Sequence, residues 1–117
     1  MDAVSITVGL SWTLGGLLIM GVALPLARGR VPWNPLYGVR LPQSFRSDEA
    51  WFAINRFGGK RLVVWSIPMV ATGLVSFFIP MQPYPTRALI ISLAPLVFLF
   101  IPVVESWRFA KGLENKP

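Results

Sequence analysis

Three long runs without a charged residue decide what this chain can fold into. Ala3 to Ala27 holds 25 residues free of Asp, Glu, Lys and Arg, Leu62 to Thr86 holds another 25, and Ala88 to Val104 holds 17. A helix needs roughly 20 apolar residues to cross the hydrocarbon core of a bilayer. The third run reaches that length once Ser106 and Trp107 at its interfacial end are counted. The rest of the composition agrees: of 117 residues 54% are hydrophobic and only 14% charged, where a soluble domain carries about 25%. The expected fold is therefore an all-α integral membrane protein, one domain over residues 1–117. Its three transmembrane helices fall at about 3–27, 62–80 and 88–107.

Several chemistries are closed to such a chain. It has no Cys and no His, so disulfides, thiolate nucleophiles, imidazole bases and thiol or imidazole metal sites are excluded. The carboxylates are Asp2, Asp48, Glu49, Glu105 and Glu114. Asp48 and Glu49 are neighbours in sequence, so on a helix they point about 100° apart and share no site. No catalytic residue, metal ligand or cofactor is expected, and the reading is that of a non-enzyme. The centres of the apolar runs carry no ionisable group, which argues against a coupled transporter. The net charge of +6 fits attraction to anionic lipid headgroups better than nucleic acid.

Taken in order, the first run lacks the basic flank of a signal peptide and reads as a retained span. Ser5/Gly9 and Ser11/Gly15 give small-xxx-small pairs suited to close helix approach, and Pro25 should bend or end the helix before Arg28. Residues 28–61 form the polar centre of the chain. Trp33 and Tyr37 suit the headgroup level, and Gly38 suits a tight turn. Ser47 is an N-cap candidate for a short amphipathic helix over about 48–57, with Asp48 and Glu49 in its first turn. Gly58-Gly59 reads as its C-cap and hinge, and its one-sided apolar face suits an interfacial helix lying on the membrane plane between spans one and two, or packed against the spans. Pro68 predicts a kink in span two. Past Trp107 the tail reads as polar and frayed.

Basic residues set the orientation. Seven (Arg28, Arg30, Arg40, Arg46, Arg56, Lys60, Arg61) lie in the central loop and three (Arg108, Lys111, Lys116) in the tail, against Arg87 alone on the other side. The positive-inside rule then places the N-terminus outside and the loop and C-terminus in the cytoplasm. Glu105, at the inner end of span three, is expected to pair with Arg28, Arg30 or Arg40. The guanidinium groups of Arg40, Arg46 and Arg56 match phosphate or carboxylate bidentately, and Asn34, Tyr37, Trp51 and Asn55 add donors and rings. Recognition by this loop and a purely topological role for its arginines both remain open at this point.

The string itself narrows the choice. Asn34-Pro35-x-Tyr37-Gly38-x-Arg40-x-Pro42, followed by Ser47-Asp48-Glu49-x-Trp51, Asn55-Arg56 and Gly58-Gly59-Lys60, resembles the signature loop of the SdpI family of small bacterial membrane proteins. The resemblance is close over about 27 residues of loop, and the hydrophobic layout agrees from about Gly15 to Phe100. It implies immunity against a membrane-active peptide toxin of the sporulation-delaying type, in the bacterial cytoplasmic membrane. The loop's density of donors and aromatic rings adds the expectation that the bundle binds the toxin or its lipid target. The founding member also holds a repressor at the membrane; this chain lacks that member's extra spans and resembles a minimal unit of the family. A peptide toxin, a membrane-recruited regulator and a second copy of the chain are the partners to consider. Carried onto this sequence, the family's motif positions are Asn34, Gly38, Arg40, Pro42, Ser47, Glu49, Trp51, Asn55, Arg56, Gly58 and Lys60, without roles attached. From the residues themselves, Asn34, Tyr37, Arg40, Glu49, Trp51, Asn55, Arg56 and Lys60 are expected to make contacts, while Gly38, Pro42 and Gly58 shape the backbone. The alternatives are an accessory subunit of a larger membrane complex and a small oligomeric channel or transporter.

Overall fold

The computed structural model describes residues 1–114, and these are helical apart from turns and loops. The first helix, α1, spans Ala3–Ala27. A 3₁₀ turn at Pro42–Phe45 precedes α2, Asp48–Ser76. After a turn come α3, Pro85–Leu93, a 3₁₀ step at Ala94–Leu96, and α4, Val97–Glu114. Two stretches, Ala3–Ala27 and Pro85–Glu114, are long and apolar enough to cross a membrane. The apolar part of α2 inside the helix, Leu62–Ser76, is shorter.

The largest departure from expectation is α2. The short helix over 48–57 and the second span are one continuous 29-residue helix, with no C-cap or hinge at Gly58-Gly59. The expected separate interfacial helix is therefore not formed. Glycine inside a helix costs up to about 1 kcal/mol relative to alanine, so something must compensate. A Cβ on Gly59 would meet the backbone N of Ala27 at 2.5 Å, and one on Gly58 would meet Val39 Cγ2 at 2.6 Å. Both glycines are sites of close approach, one to α1 and the other to the loop. The remaining boundaries also shift. The helix ends at Ser76 rather than near Pro80. The third apolar helix starts at Pro85 and stays helical to Glu114, seven residues past the expected tail boundary at Trp107. The part of the expected tail beyond Glu114 lies outside the described residues.

Along α2 the neighbours are arranged by side-chain size. On α1, Gly9 faces the Phe77 ring and Gly16 faces Val70 and the Ser66 carbonyl, while Gly73 of α2 meets Thr13. The helices run antiparallel with their backbones drawn together by small residues. Of the two small pairs read from sequence, Ser5/Gly9 is buried in this seam. Ser11 is exposed and Gly15 has nothing within 4 Å of a built Cβ. Against α4 the contact is aromatic. Phe57 stacks on Phe109 with centroids 4.3 Å apart, and Trp65 stacks on Phe98 at 6.0 Å. None of the α3 residues is buried; one bond from Trp12 Nε1 to the Ser92 carbonyl, 3.0 Å, ties α1 to it.

Candidate functional site

The loop over 28–47 is folded back onto the first turns of α2. Gly29, at φ +68°, turns the chain out of α1, a conformation that L side chains rarely adopt. Asn34 then organises the next turn. Its Oδ1 accepts from the N–H groups of Leu36 and Tyr37, both at 2.9 Å, and its Nδ2 donates to the Pro32 carbonyl. Gly38 follows at φ +133°, where a Cβ would strike Asn55 Oδ1 and the Trp51 ring, each at 2.8 Å. Pro42 opens the 3₁₀ turn. Ser47 Oγ accepts from the Ala50 N–H at 3.0 Å, so the expected N-cap forms, with Asp48 and Glu49 in the first turn.

Two side chains of α2 hold the loop down. Trp51, only 1% exposed, donates from Nε1 to the Val31 carbonyl at 2.9 Å. Asn55, also 1% exposed, accepts the Val39 N–H on Oδ1 at 2.6 Å and donates from Nδ2 to the Trp51 carbonyl at 2.9 Å. A buried backbone N–H left unpaired costs about 1–3 kcal/mol, which is why an amide suits this position. Asn34, Trp51 and Asn55 thus spend their polar atoms inside the protein. Tyr37 is half-buried, its N–H held by Asn34.

The remaining site residues face outward, and three of the four, Glu49, Arg56 and Arg40, divide between two depressions. Glu49 and Arg56 line a shallow groove of about 420 Å³ with Asp48 and Phe52, the Arg56 guanidinium lying against Gly29. Arg40 lies at the rim of a more enclosed cleft of about 280 Å³ between the loop, α2 and α4. It donates from Nη1 to the Asn34 carbonyl at 2.7 Å, and its guanidinium carbon sits 5.1 Å from the centre of the Phe45 ring. Lys60 is exposed and lines neither. The structure does not gather the eight residues into one pocket. Among the described residues no group of three or more Asp or Glu could hold a metal ion.

Two polar clusters were not foreseen, and a third pairs Glu105 with a basic residue of the central loop, as expected, but a different one. Glu105 pairs with Arg61, not with the expected Arg28, Arg30 or Arg40. Arg61 Nη2 lies 3.0 Å from Oε2 and its Nε donates to Oε1 at 3.2 Å, while Trp65 Nε1 donates to the same Oε1 at 2.8 Å. Arg61 and Trp65 are four residues apart on α2, the spacing that puts both on one face; that spacing was the available signal. At the C-terminal end of α4, Glu114 accepts from Gln43 Nε2 at 2.6 Å and lies 3.5 Å from Arg46. At the opposite end of the molecule Asp2 caps α1 through Ser5 N–H at 2.8 Å and also accepts from the N–H groups of Met81, 2.7 Å, and Gln82, 3.1 Å. These backbone donors, Ser5 first, hold the Asp2 carboxyl far below the usual carboxylate range.

Apolar helices long enough to cross a bilayer, packed through small residues and closed at one end by a loop with its own hydrogen-bonded fold, define a small helical membrane protein. The family model for the SdpI/YfhL protein family matches residues 30–110, and the chain belongs to that family. The match covers the loop, α2 and nearly all of the last apolar helix. No curated protein and no solved structure gives a match. Membership in this family points to an immunity-type membrane protein.

Proposed function

We propose that this protein protects a bacterial cell against a membrane-active peptide toxin, by binding the toxin or its lipid target at the end of the bundle closed by the loop. The observation behind this reading is that the family match takes in a loop held to α2 by Trp51 and Asn55. Arg40, Glu49, Arg56 and Lys60 are left facing outward from that fixed base. In this reading the chain is one membrane unit that crosses the cytoplasmic membrane three times. Because α2 lies antiparallel along α1 from Gly59 beside Ala27 to Phe77 beside Gly9, a bilayer that contains α1 also contains α2. The basic residues then put the loop in the cytoplasm and the N-terminus outside.

Survival is the test. Expressed in a sensitive bacterium and challenged with sporulation-delaying-type peptides, the protein should protect, and Arg40→Ala should lose most of that protection at equal membrane abundance. Full protection by Arg40→Ala and Glu49→Gln proteins would take the loop out of the mechanism. No protection by the inserted parent protein, together with a co-purifying subunit at fixed stoichiometry, would replace immunity by an accessory role in a larger complex.

A further inference from the structure

The enclosed cleft beside Arg40 has a chemical character that the groove beside Arg56 lacks. Its walls are Val39 and Leu41 from the loop, Leu62 from α2, and Pro102 and Val103 from α4, with Ser106 at the back. The Ser106 hydroxyl donates to the Pro102 carbonyl at 2.7 Å, so its proton is already committed. Val103 is 58% exposed on the outer surface of an apolar helix, which opens the cleft sideways toward the hydrocarbon.

At the rim stands a guanidinium with donors to spare. Arginine carries five N–H donors, and Arg40 uses one on the Asn34 carbonyl. Asn34 is itself fixed by the Leu36 and Tyr37 N–H groups, and the Phe45 ring sits beneath the guanidinium. The group is therefore held in place before any ligand arrives, which lowers the ordering cost of binding. No carboxylate lines this cleft. The carboxylates at this end are engaged or placed elsewhere: Glu105 with Arg61, Glu114 with Gln43 and Arg46, and Asp48 and Glu49 in the other groove.

We propose that this cleft is a binding site for one anionic phospholipid, with an acyl chain between Leu62 and Val103 and the phosphate on Arg40. An apolar slot open to the membrane with a cation at its mouth fits an amphiphile. The lack of a lining carboxylate removes the partner that the ammonium of a zwitterionic headgroup would need. Asn34 acts here as a positioning residue for Arg40. The proposal deepens the lipid arm of the function given above, and because lipid retention is read without toxin, it stands or falls apart from protection.

The test uses the full chain in detergent micelles doped with phosphatidylglycerol or phosphatidylcholine, with bound lipid counted by native mass spectrometry. Phosphatidylglycerol should be retained about five- to ten-fold over phosphatidylcholine, the size of one charge interaction at a membrane surface. Arg40→Gln should erase that preference, whereas Arg108→Gln, which removes an exposed charge elsewhere on α4, should leave it intact. Val103→Trp, at a membrane-facing position, should block the slot and lower retention while helical content and melting stay unchanged. Equal retention by the parent and Arg40→Gln proteins overturns the proposal, as does undiminished retention by Val103→Trp. Competition by glycerol phosphate as effective as by the whole lipid overturns it in favour of a soluble phosphate ligand.

Discussion

Asp2 shows how a single side chain can join distant parts of the sequence. Its two oxygens take three backbone N–H groups, one from the start of α1 and two from the turn after α2. Those donors favour the ionised form, so the folded-state pKa lies below the unfolded value near ~3.9. The stabilisation is then complete above about pH 5 and fades as pH falls through the unfolded value toward the folded one. An Asp2→Asn protein in detergent should melt lower than the parent at pH 7, and the difference should shrink steadily below pH 4. A constant difference down to pH 3 would show that the advantage of Asp over Asn does not come from the ionised carboxylate. Sequence reading passed over Asp2 because two of its donors lie 79 and 80 residues away. The opposite holds for Ser47, whose acceptor role depends only on Ala50, three residues on, and was legible at once. Trp51 and Asn55 are expected from sequence as contact residues, but sequence cannot distinguish a donor or acceptor offered to a ligand from one used on Val31 or Val39.

At the scale of elements, glycine placement separates structure from composition. Gly59 and Gly73 sit where α1 and α2 backbones nearly touch, while Gly15 and Gly21 face open space. Gly59→Val should therefore force α1 away from α2 and cost several kcal/mol, about as much as the larger core disruptions. Gly15→Ala and Gly21→Ala should be neutral or stabilising by up to about 1 kcal/mol, since alanine is the better helix former. Melting of the three proteins in one detergent checks this, and equal destabilisation of all three would mean the seam is not where the structure puts it. The same logic explains why Gly58-Gly59 misleads. Local propensity marks a helix end there, but two neighbouring segments need the missing side chains, and packing overrides propensity. Glu105 finds its partner in the central loop, as expected, but a different one for a related reason. Charge alone admits Arg28, Arg30 or Arg40, and only the phase of α2 against α4 selects Arg61.

For the whole molecule, the alternation of charge and apolar runs carried most of the architecture. It located the run Ala3–Ala27 to the residue and the polar loop after it, but not the fusion of the loop's helix with the apolar stretch that follows. Basic-residue asymmetry extends this to an expected orientation. In bacterial cells, a single Cys introduced at Arg87 should react with a membrane-impermeant maleimide added outside. One at Arg46 should react only after the membrane is opened. The reverse pattern would invert the proposed topology and move the Arg40 cleft to the outer leaflet.

The first half of the last apolar helix contributes nothing to the protein core. With no buried residue of its own, and tied by the bonds from Trp12 to Ser92 and from Arg87 to the Pro80 carbonyl, α3 in the proposed three-span arrangement would be solvated by lipid more than by protein. Acyl-chain length and lateral pressure thereby become folding variables for this segment in the way that salt and pH are for a water-soluble surface.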